Sequence, residues 1–321
     1  MRKKAVYIGL GAELAVFAWL VTSPALLEEN AAGVTAYGLS AAIAVLLGTV
    51  ALHLAQKTDG GHVLPEAPKT AAVLLPCGLL GARLLYGLAR LFAYYLDAGV
   101  LHMLMLREGG FILYGAVMGA ALGVFLLAGK KNFARAMDEV TVPGLLVTAF
   151  CRLAEGLAGE GLGAWVEDEA LMRLPFASMN TYGEYQWAIY IPEALAALAV
   201  LLIALRQKKG EGQRALTALL LYACCQVVLE SLRADSVLKL GFVRVSQVLS
   251  AVVILTVFLI RLRRYPAKRI AGAVLILAVC VGAVGGLEWA LDKTQISHVI
   301  LYAVMAAVCC VLAYTGRRRA E

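Results

Sequence analysis

The sequence predicts an all-α polytopic membrane protein of about ten transmembrane helices, and three observations carry that expectation. Of the 321 residues, 61% are hydrophobic and only 16% are charged, whereas a soluble domain is roughly 45–50% apolar and about 25% charged. Mean hydropathy is +0.79. The apolar residues also fall into runs of the length a helix needs to cross a bilayer, roughly 20 residues. A water-soluble core of this size cannot hide such an excess. A soluble enzyme, a disordered chain and a disulfide scaffold are excluded.

Ten runs read as spans, and the basic residues between them justify each in turn. The first, 6–25, follows Arg2, Lys3 and Lys4. It reads as an uncleaved helix, because it is long and no clear Ala-x-Ala site follows it. The spans 33–55 and 70–95 are separated by Lys57 and Lys69. The spans 111–129 and 139–158 are separated by Lys130, Lys131 and Arg135. Arg206, Lys208, Lys209 and Arg214 divide 188–205 from 214–232. Arg261, Arg263, Arg264, Lys268 and Arg269 divide 241–260 from 270–290, and Arg317, Arg318 and Arg319 follow 297–315. With the N-terminus inside, 20 Lys and Arg lie in inside segments. Five lie outside: Arg107, Arg173, Arg233, Lys239 and Lys293. This asymmetry predicts that both termini are cytoplasmic. It also assigns the net charge of +7 to basic cytoplasmic loops instead of a nucleic-acid surface.

Two outside segments stand apart. Residues 159–187 hold Glu160, Glu167, Asp168, Glu169, Arg173 and Glu184 together with Trp165, Tyr182, Tyr185 and Trp187. That aromatic content predicts an ordered cap at the membrane surface. Residues 96–110 form the second. The seven cysteines include the pairs Cys224–Cys225 and Cys309–Cys310, inside apolar runs and without any Cys-x-x-Cys or Cys/His ligand spacing. They read as small hydrophobes, and the pattern implies neither metal nor cofactor.

A charge at the bilayer centre costs about 2.5–3.5 kcal/mol on insertion scales, so ionisable residues within spans are candidates for function. Arg83, Arg90, Arg152, Glu155, Glu160, Glu193, Glu230, Arg233 and Arg244 lie in helix interiors or toward outer ends. They alternate in sign, so each can equally be one half of a structural ion pair. Taken together they predict a polar cavity in the outer leaflet. Gly78-x-x-Gly81 and Gly115-x-x-x-Gly119-x-x-x-Gly123 let helices approach closely, which is a packing signal.

Several of these residues sit in recognisable surroundings. Residues 108–119 read Glu-Gly-Gly-Phe-Ile-Leu-Tyr-Gly-Ala-Val-Met-Gly, and 152–163 read Arg-Leu-Ala-Glu-Gly-Leu-Ala-Gly-Glu-Gly-Leu-Gly. The first resembles a Gly-Gly pair followed by a His-Gly-Gly-Leu-Ile-Gly-like run. The second resembles Gly-Arg-x-x-Asn-Phe-x-Asn-Gly-Glu-x-x-Gly, with Arg152, Gly159, Glu160 and Gly163 in register. Both are signatures of the prolipoprotein diacylglyceryl transferase family. Asp138, Ala36-Tyr37-Gly38-Leu39, Gly81-Ala82-Arg83, Pro192-Glu193, Gln226-x-x-x-Glu230-x-x-Arg233-x-Asp235 and Ser246-Gln247-x-x-Ser250 extend the resemblance over about 33–260. The resemblance implies a seven-helix core over 33–262. Residues 1–32 then form an extra N-terminal helix and 263–321 an extra C-terminal hairpin.

The resemblance further implies a reaction: transfer of the diacylglyceryl group of phosphatidylglycerol to the thiol of a lipobox cysteine in a preprolipoprotein. Glycerol phosphate leaves, and the setting is the outer face of a bacterial cytoplasmic membrane. By the same resemblance Arg152 holds the phosphate, a role that suits its bidentate, permanently charged guanidinium. Glu160 and Glu230 orient arginines or polar loops, and Tyr114 is the fourth catalytic candidate. Tyr37, Arg83, Glu155, Gly159, Gly163, Gln226 and Arg233 line the substrate site. No cofactor is implied.

This chain also departs from the family pattern. Tyr114 stands where the family has His, Gln226 where it has Arg, Glu155 and Ala158 where it has Asn, and Pro192 where it has Tyr. A tyrosine of pKa ≈ 10 is a poor base near neutrality. Glu155 puts an anion one helical turn from Arg152. Of the four histidines, His102 lies in an outside segment near the motif, whereas His53, His62 and His298 sit elsewhere. Two other functions fit the same scaffold. One is a related transferase acting on another anionic phospholipid or acceptor. The other is a non-catalytic membrane protein that binds lipid or lipoprotein. A transporter is disfavoured, since the two halves of the chain show no repeat.

Overall fold

The computed structural model describes residues 10–16, 31–58, 61–91, 110–180, 182–207, 210–235, 238–240, 243–263, 267–294 and 296–318. Residues 10–16 are helical. The rest of the expected first span, the 96–109 part of the second outside segment with His102, the basic N-terminus and Arg319 lie outside the described residues. The long helices are α1 (Ala31–Thr58), α2 (Ala67–Ala89), α3 (Leu113–Ala158), α5 (Tyr190–Leu205), α6 (Gln213–Leu232), α7 (Val245–Leu262), α8 (Ala267–Lys293) and α9 (His298–Arg318). A short α4 (Glu169–Met172) lies between α3 and α5. Among the described residues, seven helices are long and apolar enough to cross a membrane, and α5 is a shorter apolar helix. The protein is thus an all-α polytopic membrane protein, as its composition predicts.

The chain divides into two compact units, Met1–Arg214 and Ala215–Glu321. In the first, α3 packs against α1, α2 and α5. The two spans the sequence places at 111–129 and 139–158 both lie in the 46-residue stretch α3, which is two helices joined at a kink. Gly129 breaks it with φ 68° and ψ 171°, a region only glycine enters readily. Val124 before the break and Ala136 after it join one apolar cluster with Leu64, so the two halves fold toward each other. The break falls at Gly129, where the first expected span ends, and 130–138, expected as a loop, is helical.

Glycines set the distance between α2 and α3. A Cβ on Gly81 would sit 2.4 Å from the Gly115 carbonyl oxygen, and one on Gly119 would sit 2.0 Å from that of Cys77. At the inside end of the expected topology, Glu139 accepts from the backbone of Val63 (2.7 Å) and Leu64 (3.4 Å). Asp138, fully buried, accepts from the backbone of Gly210 (2.8 Å) and Gly212 (3.1 Å). These carboxylates satisfy backbone donors that would otherwise be buried unpaired.

The segment 159–187 folds as an ordered cap with more strand than the sequence suggests. Strands β1 (Leu162–Trp165), β2 (Ala177–Met179) and β3 (Tyr185–Ala188) form an antiparallel sheet in the order β1-β3-β2. Asp168 caps α4 by accepting from Ala170 N at 2.8 Å. Asn180 Oδ1 closes the β2–β3 turn, accepting from the backbone of Tyr182 and Glu184 at 2.9 Å each, with Gly183 at φ 82°. Asn180→Ala removes both acceptors. It is expected to lower stability by about 1–2 kcal/mol, read as a lower thermal midpoint in detergent. An unchanged midpoint would show that the turn holds without the side chain.

In the second unit the core is built from four helices. Leu220, Ala223 and Cys224 of α6, Ile254, Val257 and Phe258 of α7, Ala273 and Leu277 of α8, and Met305 and Leu312 of α9 pack together. Cys224, Cys280 and Cys309 lie within this core as small apolar side chains. Arg261 joins three helices at one end. Its Nη1 donates to the Gly316 carbonyl at 2.6 Å and its Nη2 to Thr217 Oγ1 at 2.7 Å. Residues 243–244, placed in the eighth span by the sequence, instead form the strand β5 (Val243–Arg244), which pairs antiparallel with β4 (Lys239–Leu240).

Candidate active site

Arg152 is the centre of the first unit's polar cluster. It lies in the last two turns of α3, where the apolar helix surface leaves its charge no solvent on most sides. Its Nη1 is 2.7 Å from Glu155 Oε1, one turn along the same helix, and 3.4 Å from Glu193 Oε2 on α5. Glu193 is fully buried, and the side chains of Arg152 and Glu155 are each 12% exposed. Buried charges persist in an apolar setting only when paired, and here one cation faces two anions. Tyr37 of α1 lies within electrostatic reach of Arg152, Glu155 and Glu160.

The chain leaves α3 through glycines. Gly159 caps the helix in the left-handed region (φ 76°), its N–H donating to the carbonyls of Glu155 and Gly156. Such a cap favours glycine because a Cβ is strained there. Gly161, at φ 74°, accepts from Tyr190 N at 3.0 Å. A Cβ on Gly156 would meet the Tyr190 ring at 2.4 Å. Tyr190 is therefore seated against this turn and fixes the start of α5, and with it Glu193. Gly163 is buried in β1. Glu160 is exposed, and its backbone N–H donates to the Glu155 carbonyl at 3.0 Å.

Arg83 and Tyr114 sit on the facing helices α2 and α3. Arg83 is 1% exposed. Its Nη1 lies 3.5 Å from the Gly110 carbonyl, and its guanidinium stacks over the Tyr86 ring at 5.6 Å. Gly110 takes φ 73°, and a Cβ there would strike that same ring at 2.4 Å. Tyr114 is buried in the first turn of α3.

The second unit holds its own polar cluster. Gln226 Nε2 donates to Glu230 Oε2 at 3.1 Å along α6, and both residues are buried. Arg233 grips Asp235 through two bonds, Nε to Oδ1 and Nη2 to Oδ2, each 2.9 Å. Arg244 Nη2 donates to the Arg233 carbonyl at 2.7 Å.

The structure thus brings Arg152, Glu155, Glu193 and Tyr37 together in one unit, and Gln226, Glu230 and Arg233 in the other. Glu193 was not among the expected site residues, although the Pro192-Glu193 match and its place inside a span both pointed to it. Tyr190 and Glu288 carried no motif signal. A small cavity lined by Leu52, Gln56, His62 and Glu139 lies at the other end of α1.

Fold and site together define a multi-pass helical membrane protein with a buried arginine clasped by carboxylates. The particular family follows from comparison. The family model for prolipoprotein diacylglyceryl transferase matches residues 24–263, and this chain belongs to that transferase family. A phosphatidylglycerol–prolipoprotein diacylglyceryl transferase of Clostridium novyi (strain NT) is 32% identical over 191 residues, 57% of this chain and 73% of its own length. A second, from Clostridioides difficile (strain 630), is 28% identical over 222 residues, 67% and 85%. One from Synechococcus elongatus is 30% identical over 248 residues, 72% and 83%.

Proposed function

We propose that this enzyme transfers the diacylglyceryl group of phosphatidylglycerol to a lipobox cysteine of a preprolipoprotein, at the outer face of a bacterial cytoplasmic membrane with both termini inside. The observation that carries the reading is the buried Arg152 between Glu155 and Glu193. The family membership and the names of the relatives support the substrates. In the reaction the cysteine thiol gives up its proton, and its sulfur forms a bond to the glyceryl carbon. The carbon–oxygen bond to the phosphate breaks, and glycerol phosphate leaves with the electron pair, its phosphate taking up the proton that the thiol gives up.

The chain's residues serve that step as follows. Arg152 meets the phosphate and stabilises the charge that grows on the leaving oxygen. Arg152 is ion-paired to two carboxylates, and the phosphate displaces one of them. Glu155 is the one to yield, since Glu193 is fully buried on a separate helix. Arg83 adds positive potential, and Tyr37 offers a hydroxyl beside the arginine. Tyr114, a phenol where the family has imidazole, acts as a hydrogen-bond donor to a phosphate oxygen, not as a base. Gly159 and Gly163 shape the turn that carries Glu160. Glu230, Gln226 and Arg233 keep the supporting roles that the family pattern assigns to their positions. The core is 33–262, with added helices before and after it.

The test is an assay with purified protein in phosphatidylglycerol vesicles, a lipobox peptide and its Cys→Ser counterpart. Mass gain by one diacylglyceryl group on the cysteine peptide alone is expected. Turnover with another anionic phospholipid but none with phosphatidylglycerol would overturn the assignment of the donor.

A further prediction concerns Glu155. Glu155→Asn removes the anion that competes with phosphate for Arg152. The KM for phosphatidylglycerol is expected to fall by roughly tenfold, the scale of one charged hydrogen bond. A raised KM would mean that Glu155 orients Arg152 for the substrate and does not compete with it.

A further inference from the structure

The matched family region ends at residue 263, yet a carboxylate from beyond it reaches into the family segment of the second unit. Glu288 of α8 is 4% exposed. Its Oε1 accepts from Gln247 Nε2 at 2.6 Å and from the hydroxyl of Ser231. Its Oε2 lies 3.8 Å from Nη1 of Arg244. Each partner holds something else. Gln247 Nε2 also lies 2.7 Å from Ser231 Oγ, and Gln247 Oε1 accepts from Arg244 N at 3.0 Å, which closes the start of α7. Arg244 Nη2 grips the Arg233 carbonyl, and Arg233 holds Asp235 in a two-bond clasp. Tyr302 of α9 reaches the Ser231 carbonyl at 3.4 Å from the other side.

A lone carboxylate inside an otherwise apolar span is disfavoured unless it serves a purpose. Packing alone does not call for one here, because α8 and α9 already share the apolar core of α6 and α7. What Glu288 adds is direction: it draws Gln247, Ser231 and Arg244 to one point. Removing its charge leaves the Arg244 guanidinium without its anion and frees the Arg233 segment to turn.

We propose that Glu288 is a positioning residue of the transferase, acting through Arg244 on Arg233, so that the C-terminal hairpin is a working part of the enzyme. The inference rests on the transferase reading above. The test uses the full chain in phosphatidylglycerol vesicles with a lipobox peptide, comparing wild type with Glu288→Gln, Glu288→Asp, Arg244→Gln and the Glu288→Gln/Arg244→Gln pair. Both KM and kcat are measured, with the thermal midpoint of each variant alongside. Glu288→Gln is expected to lower kcat/KM at least tenfold, mainly through KM for the lipid, in protein that still unfolds cooperatively. Arg244→Gln should do the same, the pair should lose little more than either alone, and Glu288→Asp should recover part of the loss. A purely structural role would instead lower the midpoint and the active fraction while leaving KM unchanged, and that result overturns the proposal. So does a Glu288→Gln enzyme within twofold of wild type. If Glu288→Gln does not fold, Arg244→Gln decides by the same criteria. Wild type without turnover overturns the transferase reading and this proposal together. An active wild type with unaffected variants overturns only this one.

Discussion

Replacing Arg152 with alanine is expected to abolish lipid transfer and to weaken the fold. The two effects have separate origins. In the proposed role of Arg152 the activity loss comes from the phosphate, which loses a cationic partner. Removal of one such donor typically costs about 10²–10³ in rate. The stability loss comes from the carboxylates left behind. Glu193 is fully buried and its Arg152 contact is 3.4 Å. Breaking a buried pair by deleting one partner costs roughly 3–5 kcal/mol. Arg152→Lys separates the two. It keeps the charge that Glu155 and Glu193 need but replaces the planar fork with a point charge. A lysine variant with near-native melting and a rate about 10–100-fold down supports the phosphate role. A lysine variant as active as wild type argues that the arginine is structural.

The other large expected effect is on the scaffold. Gly119→Val places a side chain where a Cβ alone would lie 2.0 Å from the Cys77 carbonyl oxygen and 2.7 Å from its carbon. Both are backbone atoms, so no rotamer change relieves the overlap and α2 must move away from α3. Overpacking usually costs 1–3 kcal/mol. A backbone collision should exceed about 3 kcal/mol, a large part of the roughly 5–15 kcal/mol that holds a domain together. Arg83 stands two residues beyond Gly81 on α2, and Tyr114 stands next to Gly115 on α3. A wider gap therefore displaces two candidate site residues as well. The yield of folded protein in membranes should collapse. Gly144→Ala is the control, since a Cβ there meets nothing within 4 Å, and its melting should match wild type or rise slightly. Equal behaviour of the two variants would contradict the close approach of the helices.

Much of this was legible from residue pattern because a bilayer imposes simple rules. Apolar runs near 20 residues became α1, α2, α6, α7, α8 and α9 with boundaries displaced by a few residues. The break in α3 was legible, since the first of its two expected spans ends at Gly129. The helix over Lys130–Asp138 was not, because that charged stretch looks like a loop by polarity. The cap's sheet was hidden because its strands are three or four residues long, too short for alternation to register.

In the candidate site, the pair Arg152–Glu155 could be read from its spacing. Glu193 could be read as an intramembrane charge, but its partner could not, because the contact joins helices on either side of the cap. Glu288 was missed for the same reason. It is a single acid in an apolar run, and its partners Gln247 and Ser231 are 41 and 57 residues away in sequence. Long-range polar contacts leave no local periodicity to read. Glu160 shows the converse. Its motif position suggested a role for the side chain alone, yet its backbone N–H also donates to the Glu155 carbonyl, while its charge stays within electrostatic reach of Tyr37.

The most direct test of the central claim couples two products in one experiment. Purified wild type and Arg152→Lys are incubated with phosphatidylglycerol vesicles and a lipobox peptide, and released glycerol phosphate is counted against diacylglyceryl-cysteine peptide. The account predicts one glycerol phosphate per thioether in the wild type and a parallel fall of both in the variant. Thioether formation that is untouched by Arg152→Lys, or bound lipid with neither product from wild type, would contradict it.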